Sequence, residues 1–579
     1  MKQLPIFRKS LVCIVFGFLF SAGLFGQSLL EPEIKEHIYV HTDRDLFVAG
    51  EYMYFSMYLF SSATQPEQKS KYAYLALRSA SGVVERLTLK LGNGEANGAI
   101  YLHDTLSTGF YELVGFTNWM RNGPEDAYFR KPVFIANRFD DKLDIITRPL
   151  HDVDSSLDAG TEKPQANGLR ISVPSRELGK RTNASLVVEP TGIPGSKADV
   201  SISIAQSATL LNNNEFATGS LTTTQAGQQR QQRQQQYIME TDNLILSGQV
   251  VAANDNSPQP EQTILLSVPD TLPNLKYTLS NEEGYFHFLL NDYFYDKVLF
   301  LSVKPGEETV PTNIILSDKF DFTLPMSTPD PSVLWEKRDI IRQSQDMVRI
   351  QKTYGVSHMQ KQEAGCSQNS PPPKIFSQAN IMIYSDHYIP LDDIYEMVRE
   401  IIPAWRLRRS GGVISHNLTN VTTRASLPGQ PVFFLDGIFA HDPVPYFDLS
   451  SPEIYKIEIL NKEWMHGELY FPGIIHIVSH QAEVNLEKIN GKYVRTVLES
   501  PAPLVDFSPP DYDRITDNQP HMPDIRQLIH WQPSLRLQNG EPAQIHFSTS
   551  DIGGEYVITI KGVTSTGEPI FQQETIFVQ

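Results

Sequence analysis

Short segments in which apolar and polar residues alternate follow one another along the first part of the chain. The clearest four are residues 71–79, 85–94, 98–104 and 109–119. Alternation with a period of two is typical of strands buried on one face, and regular spacing of such strands is typical of a β-sandwich. We therefore predict a first sandwich within residues 27–147, followed by a polar linker at 148–168.

The same alternation returns in three further parts of the chain. These are a second sandwich unit at 169–224, a third at 241–325 and a C-terminal one at 486–579. The stretch 225–240 is rich in glutamine, and its low complexity cannot build a core, so we predict an exposed loop. The predicted fold class is multidomain and mainly β, with β-sandwich domains in series and one small α/β domain.

The α/β domain is predicted at 375–485. Residues 391–405 are amphipathic, and the apolar side consists of Ile394, Val398, Ile401 and Ile402. Three apolar strand candidates follow, at 431–437, 454–461 and 473–479. Because an apolar helical stripe needs a surface to cover, we expect this helix to pack on these strands.

Another segment, 326–374, is predicted to contain a connecting helix and a linker. Apolar residues recur at roughly helical spacing between residues 330 and 359, and Gly355 is the expected end of the helix. The sequence CSQNSPPPK that follows cannot continue a helix because of its three prolines.

The N-terminus has the three parts of a secretory signal. Three basic residues lie among the first nine, an unbroken apolar run follows at 11–20, and small residues follow at 21–26. The apolar run is shorter than the roughly 20 residues that span a bilayer. This length favours a cleaved signal peptide at 1–26 over a single membrane anchor. We expect export out of the cytoplasm.

The net charge excludes two classes of partner, and the cysteine content decides whether a disulfide is expected. The chain has a formal net charge of −18. An acidic surface does not attract nucleic acid or anionic lipid, so we expect neither as a partner. Of the two cysteines, Cys13 lies in the apolar run and Cys366 lies far beyond it. The exported chain is therefore predicted to form no internal disulfide.

The stretch HIYVHTDRDLFVAGEYMYF, residues 37–55, is the first candidate for chemistry. His37 and His41 share a strand face but lie about four rises of ~3.3 Å apart, too far to bind one zinc ion at ~2.1 Å. Asp43 and Arg44 are predicted to pair with each other and with backbone groups at a corner of the domain. We predict no catalytic residue, no cofactor and no metal site from spacing in the chain.

Several motifs resemble known families. IYVHTDRDLFVAGEYMYF and LGNGEANGAIYLHDTLSTGFYELVGFTNWMRN resemble the macroglobulin-like domain at the front of large bacterial envelope proteins. LSGQVV with SNEEGYFHF resembles a carboxypeptidase regulatory-like domain, whose name implies no peptidase activity. PVFFLDGIFAHD, LSSPEIYKIEILN and GIIHIVS resemble the plug domain of TonB-dependent outer-membrane transporters. In those transporters a transmembrane barrel follows the plug, whereas the strands expected here are too few and too short to span the membrane.

The resemblance implies a Gram-negative envelope protein that binds or scaffolds and is not an enzyme. It implies a location in the periplasm or at the outer membrane, with the cell surface as the alternative, and a protein partner in the outer membrane or periplasm. Its plug-like domain is expected to dock on an outer-membrane transport or assembly complex. The candidate docking residues are Asp436, in FFLDG, and Arg406, Arg408 and Arg409, in RLRRSGG.

Two other functions are kept as alternatives. The first is a macroglobulin-like surface protein that interacts with proteases or takes part in host colonisation. Macroglobulins that trap proteases carry a Cys-Gly-Glu-Gln thioester, and the sequence CSQN at Cys366 does not match it. The second is a hydrolase whose site is assembled from residues distant in sequence.

Overall fold

The fold is mainly β, which confirms the predicted fold class. The computed structural model describes residues 35–61, 69–143, 168–211, 236–304, 311–354, 359–361, 370–376, 378–410, 413–420, 422–480, 493–503, 505–508, 512 and 523–579. The predicted signal peptide, Cys366 and most of the predicted linker and glutamine-rich loop lie outside these residues. Across the described ranges there are thirty-four strands in ten sheets and two α-helices. No helix in the described ranges has the length and apolar character needed to cross a membrane.

The first sandwich is formed by eight strands. They are β1 (Glu36–Thr42), β2 (Leu46–Val48), β3 (Tyr52–Ser61), β4 (Tyr72–Ser79), β5 (Gly82–Lys90), β6 (Glu95–Tyr101), β7 (Gly109–Phe116) and β8 (Phe129–Ala136). Their sheets have the orders β1–β3–β6 and β2–β8–β7–β4–β5. Alternation along the strands directs Phe55, Leu77 and Phe116 into one core between the two sheets.

Two more groups of strands follow. They are β9 (Leu169–Ser172), β10 (Glu177–Leu178), β11 (Asn183–Pro190) and β12 (Lys197–Gln206), then β13 (Leu244–Ala252), β14 (Thr263–Ser267), β15 (Lys276–Leu279), β16 (Tyr285–Leu290), β17 (Val298–Val303) and β18 (Thr312–Leu316). The strands β13–β18 pack as two sheets around Leu266, Phe286 and Leu301. In the turn before β16, Gly284 has φ +77°, and a Cβ there would lie 2.5 Å from Val250 O. Only glycine fits this turn without strain.

The connecting helix α1 (Arg338–Tyr354) returns to the first sandwich. It is shorter than the predicted stretch, because residues Pro331–Lys337 form 3-10 turns. Its residues Ile341 and Val348 are buried against Val48 of β2 and Phe134 of β8. The helix therefore covers one end of the first sandwich.

The α/β unit consists of residues 378–480 around one five-stranded sheet. The elements of this region are β19 (Met359–Lys361), which precedes the unit, β20 (Ile381–Tyr384), α2 (Ile394–Ile401), β21 (Trp405–Ser410), β22 (Val413–Leu418), β23 (Val432–Leu435), β24 (Ile438–Ala440), β25 (Ile454–Leu460), β26 (Trp464–His466), β27 (Leu469–Phe471) and β28 (Ile474–Ser479). The sheet order is β20–β25–β28–β23–β24. Helix α2 packs on it, with Met397 and Val398 buried against Ile457 and Ile477.

Helix α2 is shorter than the amphipathic stretch that predicts it. Asp393 caps its N-terminus by accepting a hydrogen bond from Glu396 N at 2.8 Å. Pro403 follows the last turn, and the chain enters β21 at Trp405. As a result Ile401, expected on the buried side, is only partly buried at the end of the helix.

The last strands complete sheets that began much earlier in the chain. They are β29 (Val494–Val497), β30 (Val505–Phe507), β31 (Leu528–Gln538), β32 (Ala543–Ser548), β33 (Gly554–Thr564) and β34 (Pro569–Val578). β29 pairs with β17 and so completes the third sandwich, which consists of β13–β18 and β29. β31 and β33 flank β12, and β32 pairs with β11. The second sandwich therefore consists of β9–β12 together with β31–β34.

This pairing differs from the sequence prediction, which placed those strands in two separate sandwiches. Val200 and Ile202 of β12 share one core with Ile558 and Ile560 of β33. Alternation identifies each strand but not the strand that pairs with it. The segments 169–224 and 486–579 both contain strands with one apolar face, and the pattern does not show that these faces pack on each other.

The pairings also nest the units inside one another. The α/β unit lies between β18 and β29 of the third sandwich in the chain, and the third sandwich lies between β12 and β31 of the second. Each inserted unit is thus attached to its host by two segments of chain.

Candidate functional site

The two histidines of the opening stretch do not form a pair. His37 is partly exposed, whereas His41 is buried with Nδ1 2.7 Å from Ser201 Oγ of the second sandwich. Burial, reinforced by the charges of Lys561 and Lys131, lowers the pKa of His41 well below its ordinary value. His41 is therefore a neutral contact between two sandwiches. In the parts of the chain that the structure covers, no group of three or more His, Cys, Asp or Glu side chains could hold a metal ion.

The predicted corner of the first sandwich is confirmed. Arg44 Nε lies 3.0 Å from Asp43 Oδ2, and Asp43 Oδ1 accepts a hydrogen bond from Tyr54 N at 2.9 Å. The sequence analysis missed Glu51, which binds Arg44 Nη2 at 3.2 Å and accepts a hydrogen bond from Val48 N at 2.6 Å. All three charged side chains are buried, so each charge needs its partners.

Asp436, the first candidate docking residue, lies in a tight hairpin turn between β23 and β24. Asp436 and Gly437 have φ values of 48° and 81°, and Leu435 pairs with Ile438. Two consecutive positive φ angles are typical of the type I′ turn, for which Asp-Gly is a preferred sequence. The Asp436 carboxylate is buried and accepts hydrogen bonds from Ser479 N at 2.7 Å and Ser479 Oγ at 2.8 Å.

The Asp436 turn is docked inside the molecule. Asp270 N, in the third sandwich, donates to Asp436 O at 2.9 Å. A Cβ on Gly437 would lie 2.8 Å from Asp270 N and 2.9 Å from Asn274 Nδ2. The turn therefore joins the α/β unit to the third sandwich, and Asp436 does not lie on an outer surface.

A buried polar network lies beside this turn. Gly437 N donates to His476 Nε2 at 3.1 Å, and His476 Nδ1 lies 2.9 Å from Glu458 Oε2. Lys456 Nζ donates to Glu458 Oε1 at 2.8 Å. Sequence reasoning missed these residues, although Glu458 and His476 each lie between two isoleucines and pair directly across the sheet. The network provides hydrogen-bond partners for buried polar groups of the α/β sheet.

The other candidate docking residues lie on the two-stranded ribbon β21–β22. Arg406 and Arg408 are exposed, and their spacing of two residues directs both side chains to one face. Neither forms an ion pair with another described residue. The side chain of Arg409 lies outside the described set. The structure thus groups Arg406 with Arg408 on the surface and separates them from the buried Asp436.

Three exposed apolar side chains lie on or shortly after an edge strand of the same unit. β20 is an edge strand, since its single neighbour in the sheet is β25. Met382 on β20 is exposed, as is Tyr388 just after it, and Ile389 is 78% exposed. Asp386 and Asp392 flank this surface and are also exposed. We call the side chains of Met382, Tyr388 and Ile389 the edge patch.

Comparison with models of protein families gives no match, and a search of curated proteins gives none either. Among solved structures, a Salmonella alpha-2-macroglobulin reacted with methylamine is 9% identical, covering 94% of this chain and 39% of that one, with a TM-score of 0.22. An Escherichia coli alpha-2-macroglobulin activated by porcine elastase is also 9% identical, covering 94% and 44%, with a TM-score of 0.22. The Escherichia coli adhesin FdeC is 11% identical, covering 32% and 50%, with a TM-score of 0.14. The chain thus spans about two fifths of the first macroglobulin's length, and likeness at these TM-scores assigns it no function.

Proposed function

We propose that this protein is a non-catalytic binding or scaffold protein of the cell envelope. In this proposal it is an accessory to an outer-membrane transport or assembly complex, and the α/β unit is its docking element. The observation that carries the proposal is the edge patch: Met382 is exposed on the edge strand β20, and Ile389, five residues after the end of that strand, is 78% exposed. Large apolar side chains grouped at a sheet edge are typical of protein interaction sites.

The occupant proposed for the edge patch is an extended segment of the partner protein. An edge strand offers unpaired backbone N–H and C=O groups, so an extended segment can add to the sheet. The apolar side chains of the segment would pack on Tyr388 and Ile389. Asp386 and Asp392 at the rim favour a segment that also carries basic residues.

Arg406 and Arg408 are proposed as a second, weaker contact. Exposed guanidinium groups form bidentate hydrogen bonds with carboxylates, so they would bind acidic groups of the same partner. Exposed ion pairs contribute at most about 1 kcal/mol each. We therefore expect the edge patch, rather than the ribbon, to determine affinity.

The insertion of the α/β unit within the third sandwich supports the proposed scaffold function. The α/β unit is attached to the third sandwich through two chain segments and through the Asp436 turn. Two attachments restrict hinge motion more than a single linker does. The sandwiches would then act as spacers that hold the docking element at a defined distance.

Affinity capture from detergent-solubilised envelopes, read by mass spectrometry, tests the proposal. The wild type should capture a component of an outer-membrane transport or assembly complex, and Ile389→Asp should abolish that capture. Phe139→Asp is the matched control, because Phe139 is 69% exposed on the first sandwich. Capture that survives Ile389→Asp would contradict the proposed docking element. Capture of proteases alone by all three proteins would favour the macroglobulin-like alternative.

A further inference from the structure

A groove of about 460 Å³ lies where the third sandwich meets the α/β unit. Residues of β15 and β16 form two of its walls, and each of these strands lies at the edge of a sheet of the third sandwich. His466, at the end of β26, and Pro373 form the third wall. Pockets of roughly 300–1,000 Å³ are typical of sites for small ligands. None of the docking residues considered above lines this groove, so it is a separate candidate site.

The wall that the α/β unit contributes is fixed against the third sandwich. Glu468 N donates to the Tyr277 hydroxyl at 2.8 Å, and His466 Nε2 lies 3.0 Å from Leu275 O. Gly467 has φ +60°, and a Cβ there would overlap the Tyr277 hydroxyl oxygen, so only glycine allows this close approach. Because Leu275 O accepts a proton from Nε2, the neutral His466 ring keeps a lone pair on Nδ1. The groove is therefore formed before any ligand binds.

Lys276 of β15 brings a positive charge to the groove. Its side chain is partly buried, and its Nζ donates a hydrogen bond to Leu289 O at 2.9 Å. Among the described residues no carboxylate forms an ion pair with Lys276, and its Nζ instead lies 5.6 Å from the centre of the Phe294 ring. Burial lowers the pKa of Lys276, and no charge of a described residue offsets this effect. An ammonium group has three protons, so two remain for a ligand after the bond to Leu289.

Two histidines place imidazole rings on the other walls. His287 of β16 is exposed and forms no hydrogen bond with another described residue. The Nε2 proton of His466 is used by Leu275 O, and its Nδ1 takes up a proton more readily beside an anion. Of the described residues that line the groove, none is an aspartate or a glutamate. The lining therefore presents one ammonium group and two imidazoles without an opposing carboxylate, which favours an anionic ligand.

The remaining lining favours a ligand with an apolar ring. Leu289 is a large apolar residue that is nevertheless 49% exposed. Pro373 and Tyr277 also line the groove and are partly exposed, whereas Phe288 is buried. A ring that covers these side chains removes apolar surface from water, which favours binding. An apolar lining with a few polar groups is typical of small-ligand sites.

We propose that the groove binds a small ring compound that carries a phosphate group. The phosphate would lie between Lys276, His287 and His466, one on each wall, and the ring would cover Leu289 and Pro373. A phosphate monoester has three terminal acceptor oxygens, so it can accept from all three walls, whereas a carboxylate has two. Because the walls belong to the third sandwich and the α/β unit, a bound ligand would stabilise their junction. The proposal does not depend on the docking function of the α/β unit.

Isothermal titration calorimetry with phenyl phosphate tests the site. Phenyl phosphate should bind the full chain at one site, with a dissociation constant on the order of 1 mM, as fits so few atoms. Benzoate, with fewer acceptor oxygens, and inorganic phosphate, without the ring, should each bind at least about threefold more weakly. Neutral benzyl alcohol should bind at least about tenfold more weakly. Any of these compounds binding as tightly as phenyl phosphate, or no saturable binding of phenyl phosphate up to about 50 mM, would overturn the proposal.

Variants locate the bound ligand. Lys276→Met should weaken phenyl phosphate binding by about tenfold, and His287→Ala by about threefold. Lys297→Met is the matched control for the lysine, because Lys297 is another partly buried lysine of the same sandwich and lies 3.5 Å from the centre of the Tyr293 ring. His546→Ala is the control for the histidine, because His546 is exposed on the edge strand β32. Thermal unfolding without ligand checks that each variant folds. Undiminished binding by both folded groove variants, or equal losses in the controls, would overturn the assignment.

Discussion

The His476 imidazole donates its Nδ1 proton to Glu458 Oε2 across 2.9 Å inside the α/β sheet. The tautomer follows from the other nitrogen, because Gly437 N–H donates to Nε2 at 3.1 Å and requires a lone pair there. Burial lowers the pKa of His476 and so keeps the ring neutral. One neutral histidine thus connects the Asp436 turn to the ion pair of Lys456 with Glu458.

Replacing His476 with leucine should destabilise the α/β unit by about 2–4 kcal/mol. The change leaves Gly437 N–H without an acceptor and removes a hydrogen bond from buried Glu458. Urea unfolding measures the loss. The exposed His387 is the control, and His387→Leu should change stability by less than about 0.5 kcal/mol. In the wild type, nitrogen NMR should show the Nδ1-protonated ring of His476, and a Nε2-protonated ring would contradict the network.

Gly437→Ala should destabilise the protein more than Gly540→Ala. The two glycines have φ values of +81° and +83°, so the backbone strain of a new side chain is nearly the same. A Cβ at Gly437 meets Asp270 N at 2.8 Å, whereas nothing lies within 4 Å of one at Gly540. We expect the difference to be about 1–3 kcal/mol, measured by chemical unfolding. Equal losses would mean that the turn is not docked on the third sandwich.

Val398→Asp should unfold the α/β unit or expose it to proteolysis. The side chain of Val398 is buried on helix α2 against the sheet, so an aspartate there buries an unpaired charge. Ile401→Asp should be milder, because Ile401 is only partly buried where the helix ends. Limited proteolysis compares the two variants, with Arg399→Ala on the exposed face as the control. Similar resistance of Val398→Asp and Arg399→Ala would contradict the packing of α2.

Acidification should weaken the fold through buried histidines. Burial lowers the pKa of both His441 and His530 from 6.5 to about 4. Between these values the unfolded chain takes up protons that the folded chain does not. The contribution of the two neutral histidines to the free energy of unfolding is therefore fully present above pH 6.5 and is lost as the pH falls towards 4. Urea midpoints at a series of pH values measure this. The doubly substituted protein H441Q/H530Q should show a shallower loss over the same range, and an unchanged slope would contradict the assignment.

The titration of Glu95 should change stability with pH in the opposite direction. Burial, followed by the nearby charge of Asp199, raises its pKa from 4.5 to about 7, and its Oε1 is buried without a partner. Between these values the folded chain holds a proton that the unfolded chain has released, so this contribution is lost as the pH rises. Glu95→Gln should therefore raise stability relative to the wild type at pH 8 and make little difference below pH 5. An equal effect at both pH values would rule out the titration.

Patterns within single segments could be predicted from the sequence. Alternation predicted strands such as β4 and β7, and helical spacing predicted α2 and its contact with the sheet. The pairing of Asp43 with Arg44 was predictable because the two residues are adjacent at a turn. These features depend on the backbone and on side chains a few residues apart, and such short-range interactions act in the same way wherever the segment lies in the fold.

Partners distant in sequence were decided by the tertiary structure. Alternation in β12 shows which face of the strand is buried, but any strand with a matching apolar face could cover it, and the true neighbours lie more than 300 residues away. The same holds for Asp436, which the sequence identifies as a turn residue but whose hydrogen bonds to Ser479 and Asp270 come from segments distant in sequence. The sequence by itself determined the strands, the helices and the local corner. Only the tertiary structure decided the nesting and the His476 network, because both require long-range packing to bring separate segments into contact.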